Sequence, residues 1–98
     1  MLEKLIAFLG NEKFYITETT DGNIEVRAIY DNRIDQEIYY YLEHGLNKEF
    51  NIYKVSRGIS RLIINFINED LAFFYLGVLS KKIYKKLFET KSKRTKEY

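Results

Sequence analysis

The residue types that most often carry out catalysis are few in this chain, and none is paired along the sequence. His44 is the only histidine, and it lies beside Gly45 in a segment typical of a turn. No base or orienting carboxylate is spaced to activate any of the serines, which are Ser56, Ser60, Ser80 and Ser92. The chain also lacks cysteine and a glycine-rich phosphate loop. We therefore expect a protein that is not an enzyme and binds no cofactor.

Three carboxylates lie close together in one predicted turn. Asp31, Asp35 and Glu37 fall within seven residues and could in principle hold a hard cation. They lack the Asp-x-Asp-x-Asp-Gly spacing of a calcium loop. Turn formation and solvation explain them better, so the sequence predicts no metal site.

Tyrosines concentrate in a segment that predicts a strand, Glu37–Glu43. Alternation along the strand turns one set of side chains toward a core and the other away from it. With neighbours expected from adjacent strands, the outward set comprises Tyr39, Tyr41, Glu43, Arg27, Tyr53 and Arg61. Tyrosine and arginine amid carboxylates are typical of protein–protein hot spots. The predicted anchors of a protein-binding sheet face are Tyr39, Tyr41 and Tyr53. Its predicted acidic members are Asp31, Asp35 and Glu37 at the rim, and Glu43.

Nucleic-acid binding is an alternative interpretation of the same residues. The tyrosines could stack on bases, and the basic stretch Lys81–Lys96 could contact phosphates. However, the tyrosines lie among carboxylates instead of basic residues. Residues 1–80 hold eight Lys or Arg against twelve Asp or Glu, whereas residues 81–98 hold eight against two. The lysines are explained more simply as a solvated helix face and tail.

An amphipathic helix is predicted over Asn68–Glu89. Asn68 is a favourable N-cap, and Glu69 and Asp70 meet the free N–H groups of the first turn. At 3.6 residues per turn, one apolar stripe forms, made of Ala72, Phe73, Leu76, Leu79, Ile83, Tyr84 and Leu87. Four lysines point the opposite way, namely Lys81, Lys82, Lys85 and Lys86.

Further apolar residues of this helix lie on the lysine side. They are Leu71, Phe74, Tyr75 and Val78. We expect an N-terminal helix to cover them, through Leu2, Leu5, Ile6 and Leu9. If it does not, they form a patch suited to a protein partner or a second copy of the chain.

The remaining segments predict short strands joined by polar turns. A helix over Leu2–Leu9 precedes strands over Lys13–Thr19, Ile24–Tyr30, Glu37–Glu43, Glu49–Val55 and Ser60–Ile67. The connections are too short for parallel crossovers, so the five strands should form an antiparallel meander. With the long C-terminal helix packed on one face, this predicts a single α+β domain over residues 1–89. Residues 90–98 are expected to be a basic, disordered tail.

Several phrases of the sequence resemble a recurring bacterial pattern. The final helix begins FINEDLAFFY at residues 66–75, and the strands carry FYI at 14–16, RAIYDNRIDQEIYYYL at 27–42 and NIYKVSRGISR at 51–61. Over about residues 1–88 they resemble the small α+β immunity proteins that accompany polymorphic and contact-delivered toxins. The numbered group they are similar to is immunity family fifty-nine.

This resemblance implies a cytoplasmic bacterial protein that binds one secreted toxin domain and blocks its active site or substrate path. It transfers no functional residue, and the basic tail departs from the family's usual acidic character. A homodimeric accessory protein, joined through the patch at Leu71, Phe74, Tyr75 and Val78, is a further alternative. No membrane partner is expected, because the longest apolar run, Leu71–Leu79, is far short of the ~20 residues that span a bilayer.

Overall fold

A computed structural model describes the backbone of residues 2–96 and the side chains of residues 2–87. It confirms the α+β class, with one antiparallel sheet, a short helix and a long helix packed on one sheet face. The elements in chain order are α1 (Leu2–Leu9), β1 (Phe14–Glu18), β2 (Ile24–Tyr30), β3 (Arg33–Ile34), β4 (Ile38–His44), β5 (Phe50–Ser56), β6 (Ile59–Phe66) and α2 (Glu69–Lys96). The spatial order β1-β2-β4-β5-β6 is the predicted meander, to which the two-residue β3 adds a short pairing with β2.

Left-handed backbone conformations set the tight turns of this meander. Asp31 and Asn32 have φ of 52° and 61°, and Arg57 and Gly58 have φ of 51° and 82°. Positive φ at both central residues defines the two-residue turns whose twist matches that of paired strands. The chain therefore reverses within two residues between β2 and β3 and again between β5 and β6.

A β-bulge on β6 changes which side chains share a sheet face. Ile52 pairs with Ile64, yet Tyr53 pairs with Leu62, so one extra residue of β6 is accommodated between them. Beyond this point Lys54 is paired with Arg61, and Lys54 is also opposite the buried Tyr40. Arg61 therefore lies on the helix-side face, and its predicted place beside the outward tyrosines is wrong.

The core lies between the sheet and the two helices. Alternate residues of β2, β4 and β5 project toward α2, and the most deeply buried of them are Ile24, Leu42 and Ile52. From α2, Ala72 and Leu76 reach zero exposure, as the predicted stripe requires. Leu79, Ile83 and Tyr84 continue that contact as partly buried residues.

Helix α2 begins as predicted and extends further than predicted. The Asn68 side-chain oxygen accepts from the Leu71 N–H at 3.0 Å, which caps the first turn. The helical backbone then runs to Lys96, past the expected end at Glu89. The disorder expected over residues 90–98 stays a prediction, and residues 97 and 98 lie outside the described residues. Lysine, arginine and glutamate are good helix formers whether or not an apolar stripe continues. Within residues 2–96, neither helix has both the length and the apolar character needed to cross a membrane.

Candidate protein interface

The register of β4 against its neighbours gathers the outward tyrosines. Tyr41 is opposite Glu25 of β2 and Tyr53 of β5. The Tyr41 and Tyr53 rings are stacked, 4.9 Å apart between centroids and 10° from parallel. The Tyr41 hydroxyl also lies 3.1 Å from the Ser60 hydroxyl of β6. We call the surface formed by Glu25, Arg27, Tyr39, Tyr41, Glu43 and Tyr53 the tyrosine face.

Arg27 organises the other half of the tyrosine face. Its guanidinium lies 3.6 Å above the Tyr39 ring centroid and 3.0 Å from the Glu25 carboxylate. It also donates to the main-chain carbonyl of Asp35 at 3.2 Å. Three kinds of contact hold this charge in one orientation, with only 18% of the side chain exposed. The sequence predicts Arg27 on this face, but it does not place Glu25 beside Arg27 or Ser60 beside Tyr41, because pairing partners follow from register rather than from local sequence.

Tyr53 joins the aromatic and acidic parts of the tyrosine face. Partial burial, together with the nearby Glu43 carboxylate and the stacked Tyr41 ring, raises the pKa of Tyr53 above its ordinary value. Glu43 is itself opposite Asn51, and the Asn51 side-chain carbonyl accepts from the Asn65 side-chain amide at 2.6 Å. The tyrosine face therefore presents half-buried aromatic rings, of which Tyr41 is also hydrogen-bonded through its hydroxyl, and an acidic side chain lies next to them.

The three carboxylates of the β2–β4 connection are only partly related to the tyrosine face. Asp35 accepts from the Glu37 N–H at 2.9 Å, so its side chain shapes the turn, and its carbonyl is bound by Arg27. All three carboxylates also line a concavity of about 550 Å³, together with Arg33 and with Leu87 of α2. Within the described part of the chain, no group of three or more metal-ligating side chains could hold an ion.

The second candidate surface is not covered in the way that the sequence predicted. Leu5 and Leu9 of α1 turn into the core, and Leu71 and Phe74 remain 54% and 61% exposed. Phe74 makes a tilted ring contact with Phe8 at 6.2 Å. The expectation that α1 covers this patch is therefore wrong for Leu71 and Phe74.

The other two residues of this patch are less exposed. The Tyr75 ring lies 5.5 Å from that of Phe66, and Val78 is half-buried. The structure thus leaves Leu71 and Phe74 as the open part of the predicted patch.

Histidine and serine do not form a catalytic arrangement among the described side chains. The His44 ring packs edge-on against Phe50 at 5.1 Å between centroids. Ser80 is buried and donates to the Leu76 carbonyl within its own helix. Both side chains therefore have structural partners, and the arrangement of the tyrosine face is suited to binding.

Comparisons with family models, with curated proteins and with solved structures find no match for this chain. The resemblance to immunity proteins accordingly stays a prediction from the sequence.

Proposed function

We propose that the protein is a non-enzymatic immunity protein of the bacterial cytoplasm, which neutralises a cognate toxin domain by direct contact. The observation that carries the proposal is the preorganised tyrosine face. Tyr41 and Tyr53 are held by stacking, and Arg27 by three contacts, before any partner arrives. Side chains that are ordered in advance lose little conformational entropy on binding. Aromatic residues and arginine supply most hot-spot energy in protein interfaces.

The charges of this surface favour a basic partner. Glu25 is neutralised by Arg27, whereas Glu43 is opposite the uncharged Asn51. Asp31, Asp35 and Glu37 add negative charge at the end of the sheet, partly offset by Arg33 in the same concavity. Carboxylates at the edge of an interface mainly accelerate the encounter with an oppositely charged surface. We infer that the tyrosines anchor the toxin and the carboxylates steer it.

The first experiment captures the tagged protein from its native cells and identifies by mass spectrometry what stays bound at high salt. The captured toxin domain is then expressed with the wild-type protein or with Tyr41→Ala. We expect the wild-type protein to restore growth at stoichiometric amounts, and Tyr41→Ala to bind about thirtyfold more weakly, as loss of about 2 kcal/mol at a hot spot implies.

Phe74→Ala is the matched control, because it removes an exposed aromatic ring from a different surface. It should leave toxin binding and protection unchanged. Circular dichroism and urea unfolding confirm that both variants are folded. If Tyr41→Ala protects as well as the wild type, the tyrosine face is not the toxin-binding surface. If no toxin-like protein is retained at all, the proposed function is wrong.

A homodimeric accessory protein is the second candidate function. It is favoured by the exposure of Leu71 and Phe74, which would be buried between two copies. Sedimentation should then give twice the monomer mass, and Phe74→Ala should shift the protein toward the monomer. A monomer at all accessible concentrations would exclude this candidate.

A further inference from the structure

Strand β6 is an edge whose first half is uncovered. It pairs with β5, and no strand among the described residues pairs with its other side. Ile59, Leu62 and Ile63 are 66%, 55% and 44% exposed, which is unusual for three large aliphatic residues within five positions. An edge strand presents unpaired main-chain N–H and C=O groups to which another strand can bind. The first half of β6 is therefore open to strand addition.

A positively charged groove runs beside this edge on the helix side of the sheet. One concavity of about 360 Å³ is lined by Lys54, Ser56, Arg57, Ile59 and Arg61. A second of about 320 Å³ shares Lys54 and is lined by Tyr40, Lys82, Ile83, Lys85 and Lys86. Among the side chains of residues 2–87, none of those lining either concavity is a carboxylate. We call this surface the basic groove.

The arrangement of the cations in the basic groove lowers the stability of the isolated protein. Lys54 and Arg61 are directly opposite each other on paired strands, and like charges in such positions repel. Arg57 adopts a left-handed φ of 51°, at a turn position where asparagine or glycine is the favoured residue. A carboxylate bound between these cations would relieve the repulsion.

We propose that the basic groove and the edge of β6 together bind an extended acidic segment of a partner protein, which adds to the sheet as a further strand. Main-chain hydrogen bonds to β6 would give affinity, and alternate side chains would give specificity. On the helix side, carboxylates would meet Lys54, Arg57 and Arg61. On the opposite side, apolar side chains would meet Leu62. Ile59 is exposed and lies between the cations. It favours a peptide over a nucleic acid, because an apolar side chain cannot bind a phosphate group.

This inference concerns the edge of the sheet and the basic groove, and it does not depend on the proposed function, although Leu62 borders the tyrosine face as the pairing partner of Tyr53. The probe is a fluorescent octapeptide of alternating Glu and Val, whose binding is followed by anisotropy. A second peptide of the same sequence is N-methylated at alternate residues, so that it keeps the charge and loses main-chain donors. Oligo-dT of the same length serves as a competitor.

We expect the unmodified peptide to bind the wild-type protein, and Arg61→Glu to weaken it about tenfold, because one attraction becomes a repulsion. Arg61→Glu places a carboxylate opposite Lys54, so the fold should tolerate it. Arg57→Asn should also weaken binding, because it removes a cation from the basic groove. It should do so even though asparagine adopts the left-handed backbone conformation of this position more readily than arginine. Lys4→Glu on α1 is the matched charge control and should bind like the wild type.

Three outcomes would overturn the inference. They are absence of binding to the wild type, equal binding of the N-methylated peptide, and displacement of the peptide by an equal concentration of oligo-dT. The second outcome would mean that charge alone binds the peptide. The third would indicate that the basic groove is a site for nucleic acid.

Discussion

Gly77 is where α1 approaches α2 most closely, and replacing it tests this packing. A Cβ atom on Gly77 would lie 2.7 Å and 2.9 Å from two ring carbons of Phe8, and 3.4 Å from the Leu5 Cδ1 atom. Carbon atoms in favourable contact are about 3.5–4.0 Å apart, so the Phe8 ring would have to move by about 1 Å. Gly77→Ala therefore has two opposite effects on stability, a local clash that lowers it and a gain in helix propensity that raises it.

The two effects can be weighed from the contacts of Phe8. Moving the ring disturbs its contact with Phe74, worth about 0.5–1.5 kcal/mol. It also disturbs the approach of the Lys81 ammonium, 3.8 Å from the ring centroid, worth about 0.5–1 kcal/mol at an exposed site. Against this, alanine in a helix interior gains about 1 kcal/mol over glycine. We expect Gly77→Ala to be neutral or destabilising by up to about 1.5 kcal/mol in the wild type, where these terms oppose.

The same substitution should behave differently once the ring is gone. In the Phe8→Ala background, Gly77→Ala should stabilise the protein by nearly the full helix-propensity gain of about 1 kcal/mol, which gives a coupling free energy of about 1–2.5 kcal/mol. Urea unfolding of the four proteins, with unchanged m-values, measures this coupling. Ile6→Ala, which alters an exposed residue of α1, should leave the effect of Gly77→Ala as in the wild type. Equal stabilisation by Gly77→Ala with and without the Phe8 ring would refute the described packing of α1 on α2.

Three further predictions concern turns, caps and tyrosines. Arg57→Asn should raise the free energy of unfolding by about 0.5–1 kcal/mol, because asparagine tolerates positive φ better; a loss of stability in urea unfolding would contradict this. Asn68→Ala should lower the free energy of unfolding by about 1 kcal/mol through loss of the cap on α2, whereas Asn68→Ser should keep most of the stability that the cap provides. Calorimetry of the two variants should show this difference, and equal stabilities would contradict the capping role. Tyr53 has a raised pKa in the folded state, so its contribution to stability is complete below the unfolded-state value of about 10 and is lost as pH rises through the folded-state value. Tyr53→Phe should therefore lose less stability than the wild type above about pH 10, and equal losses would show that Tyr53 does not contribute.

Much of the fold follows from local patterns in the sequence. The alternation Ile24–Tyr30 and the positive φ of Gly22 define a hairpin without reference to the rest of the chain. The Asn68 cap likewise starts α2 at the predicted place. Each of these signals depends only on residues that are close together in the chain, so it can be recognised without knowledge of the tertiary contacts.

The features that the sequence did not predict depend on contacts between distant segments. The bulge opposite Ile52 and Tyr53 places Arg61 on the helix side, and simple alternation along the strand places it on the other. Leu71 stays exposed because Leu5 and Leu9 serve the core instead of the outer side of α2. The apolar stripe of α2 ends near Glu89 and predicts the end of the helix there, whereas the helical backbone continues to Lys96. An apolar stripe indicates which residues pack, whereas helix propensity decides which residues are helical.

The meander also has a consequence for how the chain folds. Four of its strand pairs join segments that follow one another with short connections, β1 with β2, β2 with β4, β4 with β5 and β5 with β6. Closing short loops costs little entropy, and proteins rich in such contacts fold quickly. The contact between α1 and α2 joins residues that are far apart in sequence, because Phe8 must meet Gly77. We therefore expect the hairpins to form early and α1 to dock last. Phe8→Ala should accordingly accelerate unfolding and leave the folding rate nearly unchanged.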